Sequence, residues 1–220
     1  MATKEVSVQI KAPKFETVEM LLEGTAPLVV ARFSNKIGLM MKMAEGPTAK
    51  NKKVREARDY DAEADQARYY NSDKTWQGVH AGAFRAASIS ACRLVGFKMT
   101  LGKLSIFIIE DDFDQEGKTP LVRIYGESET DTSHVRNATG VVDVRSRAMY
   151  KKWASKLRVR YDADQFTAQD IYNLIARVGM QVGICEGRPD SKSSPGCGWG
   201  TFRVVPDLEA DAVKAKYGIA

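Results

Sequence analysis

The sequence predicts an α+β fold. Strand-like alternating segments occur in both halves of the chain, with two or three helical segments between and after them. No regular strand–helix–strand repeat joins these segments, which argues against a doubly wound parallel sheet. With 220 residues, 44% of them apolar, the chain can bury a core, and this excludes a disordered tail.

Residues 4–11 (KEVSVQIK) alternate and are expected to form a strand, whereas ETVEMLLE at 16–23 fits strand and helix alike. Gly24 to Pro27 make a turn before a strand at 27–33 (PLVVARF). The methionine-rich IGLMMKM at 37–43 suits either core or a protein–protein surface. After Gly46-Pro47 the chain turns very polar, marking an insertion at about 45–75. It is either a solvated helix from about Asn51 to Arg68 or a mobile excursion.

A glycine turn after Trp76 leads into a helix ending near Val95, with Phe84, Ala87, Ile89, Ala91 and Leu94 on a closely packed face. LSIFIIED at 104–111 predicts a strand buried on both faces. A turn-rich connector, a strand at 121–127, a polar loop (SETDTSHVRNATG) and a strand at 141–147 follow. KLRVRYD at 156–162 is another alternating strand. Thr167 is the expected N-cap of a helix burying Ile171, Leu174, Ile175 and Val178, with Gly179 as its stop. A glycine-rich loop, a strand at 201–205 and a short surface helix at 207–217 close the chain.

Residues 1–11 alternate and carry charge, unlike a signal peptide, and the longest apolar run is too short to cross a bilayer. A cytoplasmic protein is therefore expected. Three cysteines (Cys92, Cys185 and Cys197) are too few and too irregularly spaced for a disulfide framework or a zinc site, so neither metal nor cofactor is expected. A net charge of +5 permits nucleic-acid binding without demanding it.

The distribution of charge says more. Arg145, Arg147, Lys151, Lys152, Lys156, Arg158 and Arg160 form a run with no acid between Asp143 and Asp162. Strand periodicity puts Lys156, Arg158 and Arg160 on one face and Leu157, Val159 and Tyr161 on the other. Such a row either contacts phosphates or is balanced by acids on neighbouring strands. The loop from Gly179 to Gly200 adds Arg188, Lys192, Gly196, Gly198 and Trp199. Its glycines either let backbone N–H groups approach an anion or simply serve tight turns. Of the aromatics beside these charges, Trp153 is expected in the core, whereas Trp199, Tyr69, Tyr70 and Trp76 offer rings on which bases can stack.

Catalysis is weakly supported. His134 with Asp131 or Asp143 resembles a general-base pair, but no nucleophile motif accompanies it. Asp111, Asp112 and Asp114 sit at a strand exit, where acids are routine.

Two segments carry a family resemblance. GVHAGAFRAASISACRL at 78–94 is similar to a helix that follows a small-residue turn and bears an arginine, here Arg85. ICEGRPDSKSSPGCGWGTFRVV at 184–205 is similar to a C-terminal glycine-rich loop running into a strand, with Gly198, Gly200 and Phe202 in a G-x-G-x-F pattern. Together they resemble the RAMP superfamily, RRM-like proteins that include the backbone subunits of CRISPR effector complexes. The stretch from Asp143 to Pro189 also resembles proteins encoded by tailed bacteriophages. DSKSSP interrupts the loop, and apart from His80 no histidine stands where RNA-cleaving members often use one.

The resemblance implies one RRM/ferredoxin-like domain over 1–220, an antiparallel sheet with helices on one face and a polar insertion. It implies a non-catalytic binder of single-stranded RNA or DNA in the bacterial host cell, assembling side by side as a homo-oligomer or filament. The binding set it implies adds Arg85 to Arg145, Arg147, Lys152, Lys156, Arg158, Arg160, Arg188, Lys192, Gly196, Gly198 and Trp199. A phage assembly protein and a RAMP-type endoribonuclease are the alternatives.

Overall fold

The computed structural model describes residues 10–32, 59–136, 142–191 and 196–219. The expected strand at 4–11, the apolar segment at 37–43 and Lys192 fall wholly or mostly outside these residues. In chain order the elements are β1 (Phe15–Gly24), β2 (Leu28–Val30), α1 (Tyr60–Gln66), β3 (Tyr69–Tyr70), β4 (Gln77–His80), α2 (Ala81–Cys92), α3 (Met99–Ser105) and β5 (Ile106–Ile109). They continue as β6 (Asp112–Phe113), β7 (Pro120–Arg123), β8 (Ser128–Arg136), β9 (Val142–Tyr150), β10 (Ala154–Asp162), α4 (Ala168–Arg177), β11 (Phe202–Val204) and α5 (Asp207–Tyr217). The α+β expectation holds, and no helix among the described residues is long and apolar enough to cross a membrane.

The principal sheet has the order β11-β1-β10-β5, with every neighbouring pair antiparallel. The segment at 16–23, which suits strand and helix alike, is strand. Its even positions Val18, Met20 and Leu22 join the core with Leu157, Val159 and Tyr161 of β10, and α2 and α4 pack over that face. Phe84 of α2 and the fully buried Trp153 both meet Phe202 edge-on. α5 lies on the opposite face instead. Val213 and Ile219 pack there with Leu21, Ala154 and Val205, so the helices do not all share one side.

Two smaller sheets complete the fold, β2-β9-β8 and β3-β4-β7-β6. α1 starts at Asp59, whose carboxylate accepts the N–H groups of Asp61 and Ala62 at 3.1 and 3.0 Å. Within the expected helix from about Asn51 to Arg68, residues 51–58 lie outside the described residues, and the described part is the short helix α1, mostly exposed, with Ala64 and the following Ala67 buried and β3 next pairing with β4.

Several expectations are corrected. The stretch after Trp76 is a strand before it is a helix. SETDTSHVR is not a loop. It is β8, paired with β9 along its whole length. Leu104 belongs to α3 and is exposed, and β5 is an edge strand, with Ile106 and Ile108 turned to the core and Phe107 half-buried. Thr167 does cap α4, in a reciprocal capping box with Asp170. Gly179, however, does not stop the helix. A wider π turn runs over Val178–Val182 and ends at Gly183, where φ is +69°. Gly179 is glycine for another reason, because a Cβ there would stand 2.1 Å from the Phe202 carbonyl oxygen.

Candidate functional site

β10 positions the centre of the site. Its alternation buries Leu157, Val159 and Tyr161 and turns Lys156, Arg158 and Arg160 to the other face, as the sequence predicts. Antiparallel partners share a face, so the register builds one surface. Arg160 lies between Thr17 and Phe107, Arg158 lies between Glu19 and Ile109, and Lys156 faces Leu21. Where α5 ends its cover, this surface is open.

Acids on neighbouring segments balance two of the three cations. Lys156 Nζ is 3.7 Å from Glu19, and Arg158 Nη2 is 3.1 Å from Asp111 and donates to the Glu110 carbonyl at 2.6 Å. Arg160 differs. It is exposed, and among the described residues it makes no ion pair. Its guanidinium lies instead 5.5 Å from the centre of the Phe15 ring and 5.2 Å from that of Phe107, within cation–π range. The two rings meet edge-on with centres 5.7 Å apart, and Phe15 is 41% exposed.

Arg85 reaches the same aromatic group. Its guanidinium is 5.3 Å from the Phe107 ring, held there by hydrogen bonds to the carbonyls of Ile106 at 3.1 Å and Lys103 at 2.5 Å. The structure therefore brings together Arg85, Lys156, Arg158 and Arg160, with two phenylalanines.

The rest of the basic run belongs elsewhere. A turn at residues 151–153 divides it, leaving Arg145 and Arg147 on β9, in a different sheet. Lys151 pairs with Glu129 at 2.7 Å, and Lys152 is exposed in the turn. Arg147 has a side chain only 7% exposed and holds Glu186 at 2.5 Å and Asp131 at 2.9 Å, with Ser133 as a further partner and Trp199 stacked 5.6 Å away. This buried arginine ties β8 and β9 to the glycine-rich loop.

Within that loop Arg188 donates to the Cys185 carbonyl at 2.9 Å. Asp190 accepts from Ser90 and Arg93, and the Ser90 hydroxyl leads in drawing its carboxyl below the ordinary range. Gly183, Gly187, Gly196, Gly198 and Gly200 all have positive φ. A Cβ at Gly200 would fall 1.9 Å from the Ile184 carbonyl oxygen, and one at Gly187 would enter the Trp199 ring. These glycines serve turns and close approach. Only at Gly198 is the space around the backbone open.

The acids at the strand exit are spent on the fold. Asp112 accepts the Phe113 N–H and the Ser72 hydroxyl, and both draw its pKa down. Burial raises that of Asp114, but hydrogen bonds from Thr119 and Lys118 and the nearby Arg32 outweigh it and leave it lowered. No group of three or more potential metal ligands occurs among the described residues. His134 and Asp131 sit on opposite faces of β8, and Asp131 is committed to Arg147. His80 is the exposed residue before α2.

Phe15, Phe107 and Glu19 are the site residues that the sequence does not disclose. The alternation of Ile106, Phe107, Ile108 and Ile109 carries a signal, since Phe107 and Ile109 share the face opposite the core. The chain matches no protein-family model, and no curated protein matches it in sequence.

Proposed function

We propose that the chain is a non-catalytic binder of single-stranded nucleic acid that uses the open half of the principal sheet. One observation carries the proposal: Arg160 is exposed, has no acid partner among the described residues and lies within cation–π range of two phenylalanine rings beside further cations. Such a group offers a phosphate a preoriented charge and offers an unpaired base a flat apolar neighbour. The strand order supports an RRM-like assignment. β1, α2, β5, β10, α4 and β11 follow one another as in the split β-α-β of ferredoxin-like folds, and the sheet order places β1 and β10 at the centre.

The test is equilibrium binding of labelled single-stranded RNA, single-stranded DNA and duplex DNA across a salt series. The expected outcome is preference for single strands, with affinity falling as salt rises because phosphate contacts release counterions. Arg160→Glu is expected to weaken binding by about tenfold or more, the value of a charge-assisted contact, while leaving the fold intact. Absent binding at low salt, salt-independent binding, or unchanged affinity in the variant overturns the proposal.

A further inference from the structure

A separate cleft of about 580 Å³ opens between the end of β7, the start of β8, Trp76 and the last turn of α5. Its charged lining residues are Arg123 and Glu127. The guanidinium lies 4.6 Å from the Tyr125 ring centre and 5.8 Å from the nearer ring of Trp76, and Tyr217 also lines the cleft. The Arg123 backbone is fully engaged, since its N–H donates to Asp111 at 2.8 Å and its carbonyl accepts from Ser155 at 2.8 Å. The guanidinium is not. It makes no ion pair or hydrogen bond among the described residues, although Glu127 lines the same cleft. Arg32, Arg93, Arg147, Arg158 and Arg203, by contrast, all have carboxylate partners.

Hydrogen bonds brace one wall of the cleft. Gln77 Oε1 accepts from Ser128 Oγ at 2.9 Å and from the buried Tyr150 hydroxyl at 2.6 Å, and Ser128 Oγ accepts from Arg68 Nε at 2.9 Å. The cleft thus presents a planar fork of N–H donors with aromatic rings on its flanks, at a volume typical of small-ligand sites.

We infer that this cleft binds a nucleotide, with Arg123 taking the phosphate and one of the lining rings stacking on the base. A bare anion meets only the fork, whereas a nucleoside meets only the rings. The site involves none of the residues of the open sheet face, and it stands whether or not that face binds a strand. A free 5′-mononucleotide and the 5′-phosphorylated end of a strand present the same chemistry.

Calorimetric titration with adenosine 5′-monophosphate, adenosine and inorganic phosphate tests the inference, with tryptophan emission followed in parallel. The monophosphate is expected to bind at least about tenfold more tightly than either fragment and to quench emission that is lost in Trp76→Phe. Arg123→Gln is expected to weaken monophosphate binding by about ten- to hundredfold and to leave adenosine binding unchanged. If Arg123→Gln does not fold, Arg123→Lys keeps the charge without the fork and is expected to lose about tenfold. Competition between the monophosphate and 5′-phosphorylated or 5′-hydroxyl oligonucleotides distinguishes the sources. Displacement by the phosphorylated strand alone assigns a strand end, and displacement by neither assigns the free nucleotide. No monophosphate binding, equal binding of adenosine, or unchanged binding in folded Arg123 variants overturns the inference.

Discussion

Arg158 faces Glu19 across the β1–β10 ladder, yet its ion pair, at 3.1 Å, is with Asp111, and Glu19 reaches diagonally to Lys156 at 3.7 Å. Both acids hold cations that a phosphate would otherwise claim. On the proposed function, Glu19 therefore acts as a brake on anion binding. Glu19→Gln is predicted to tighten single-strand binding by about two- to fivefold at low salt and to steepen the salt dependence, as measured by anisotropy. Weaker binding in this variant would contradict the proposed role of the face.

The aromatic and ionic parts of the face separate by their salt response. Phe15→Ala removes a half-exposed ring and is predicted to cost about 1–3 kcal/mol of binding with an unchanged salt slope, whereas Arg160→Gln reduces the slope by about one charge. Identical slopes for both variants would show that Arg160 does not meet a phosphate.

Two glycines of the loop have opposite tolerance. Gly200→Ala places a Cβ 1.9 Å from the Ile184 carbonyl oxygen at φ +67° and is predicted to destabilise the fold by more than about 3 kcal/mol. Gly198→Ala meets no atom within 4 Å and pays only the left-handed backbone cost, about 1–2 kcal/mol. Denaturant unfolding of the two variants checks the order.

Glu23 links the sheet to α5. Burial raises its pKa, but hydrogen bonds from Lys216 at 2.7 Å and Arg203 at 2.7 and 3.0 Å outweigh this and hold it below its ordinary value of 4.5. A depressed folded-state pKa contributes stability that is complete above the unfolded value and is lost as pH falls through the folded one. Stability is therefore predicted to decline below about pH 4.5. Glu23→Gln is predicted to lose about 1–2 kcal/mol at neutral pH and to flatten the acid limb, as read from melts between pH 3 and 7.

The cysteines differ in exposure. Cys197 is exposed, Cys92 is buried, and burial pushes the Cys185 thiol up to about 12. Iodoacetamide at pH 8 is predicted to label Cys197 alone in the native protein, and all three in denaturant, by mass spectrometry of the peptides.

The elements legible in the sequence are those whose pattern is set by one buried face. KLRVRY alternates cleanly because β10 is covered on one side, and Thr167 announces α4 through a local hydrogen bond that needs no tertiary partner. β8 is invisible because SETDTSHVR is polar at every position but one, with its pairing supplied by β9. LSIFII looks doubly buried because an edge strand with Phe107 on its open face is apolar on both sides. Charge counting gathers Arg145 to Arg160 into one run, but the turn at 151–153 sends its halves to different sheets. The partners of the cations depend on register, and register is a property of the whole sheet.

β1 lies between β10 and β11, both contributed by the far end of the chain. On a ribosome, the strand that carries Phe15 and Glu19 emerges long before either of its neighbours. Its N–H and C=O groups on both sides must wait unpaired, which exposes a ready template for wrong pairing. Such distant pairings also fold slowly. The open face is consequently among the last features to form, and any ligand that needs the whole face can be held only once synthesis and folding of the sheet are complete.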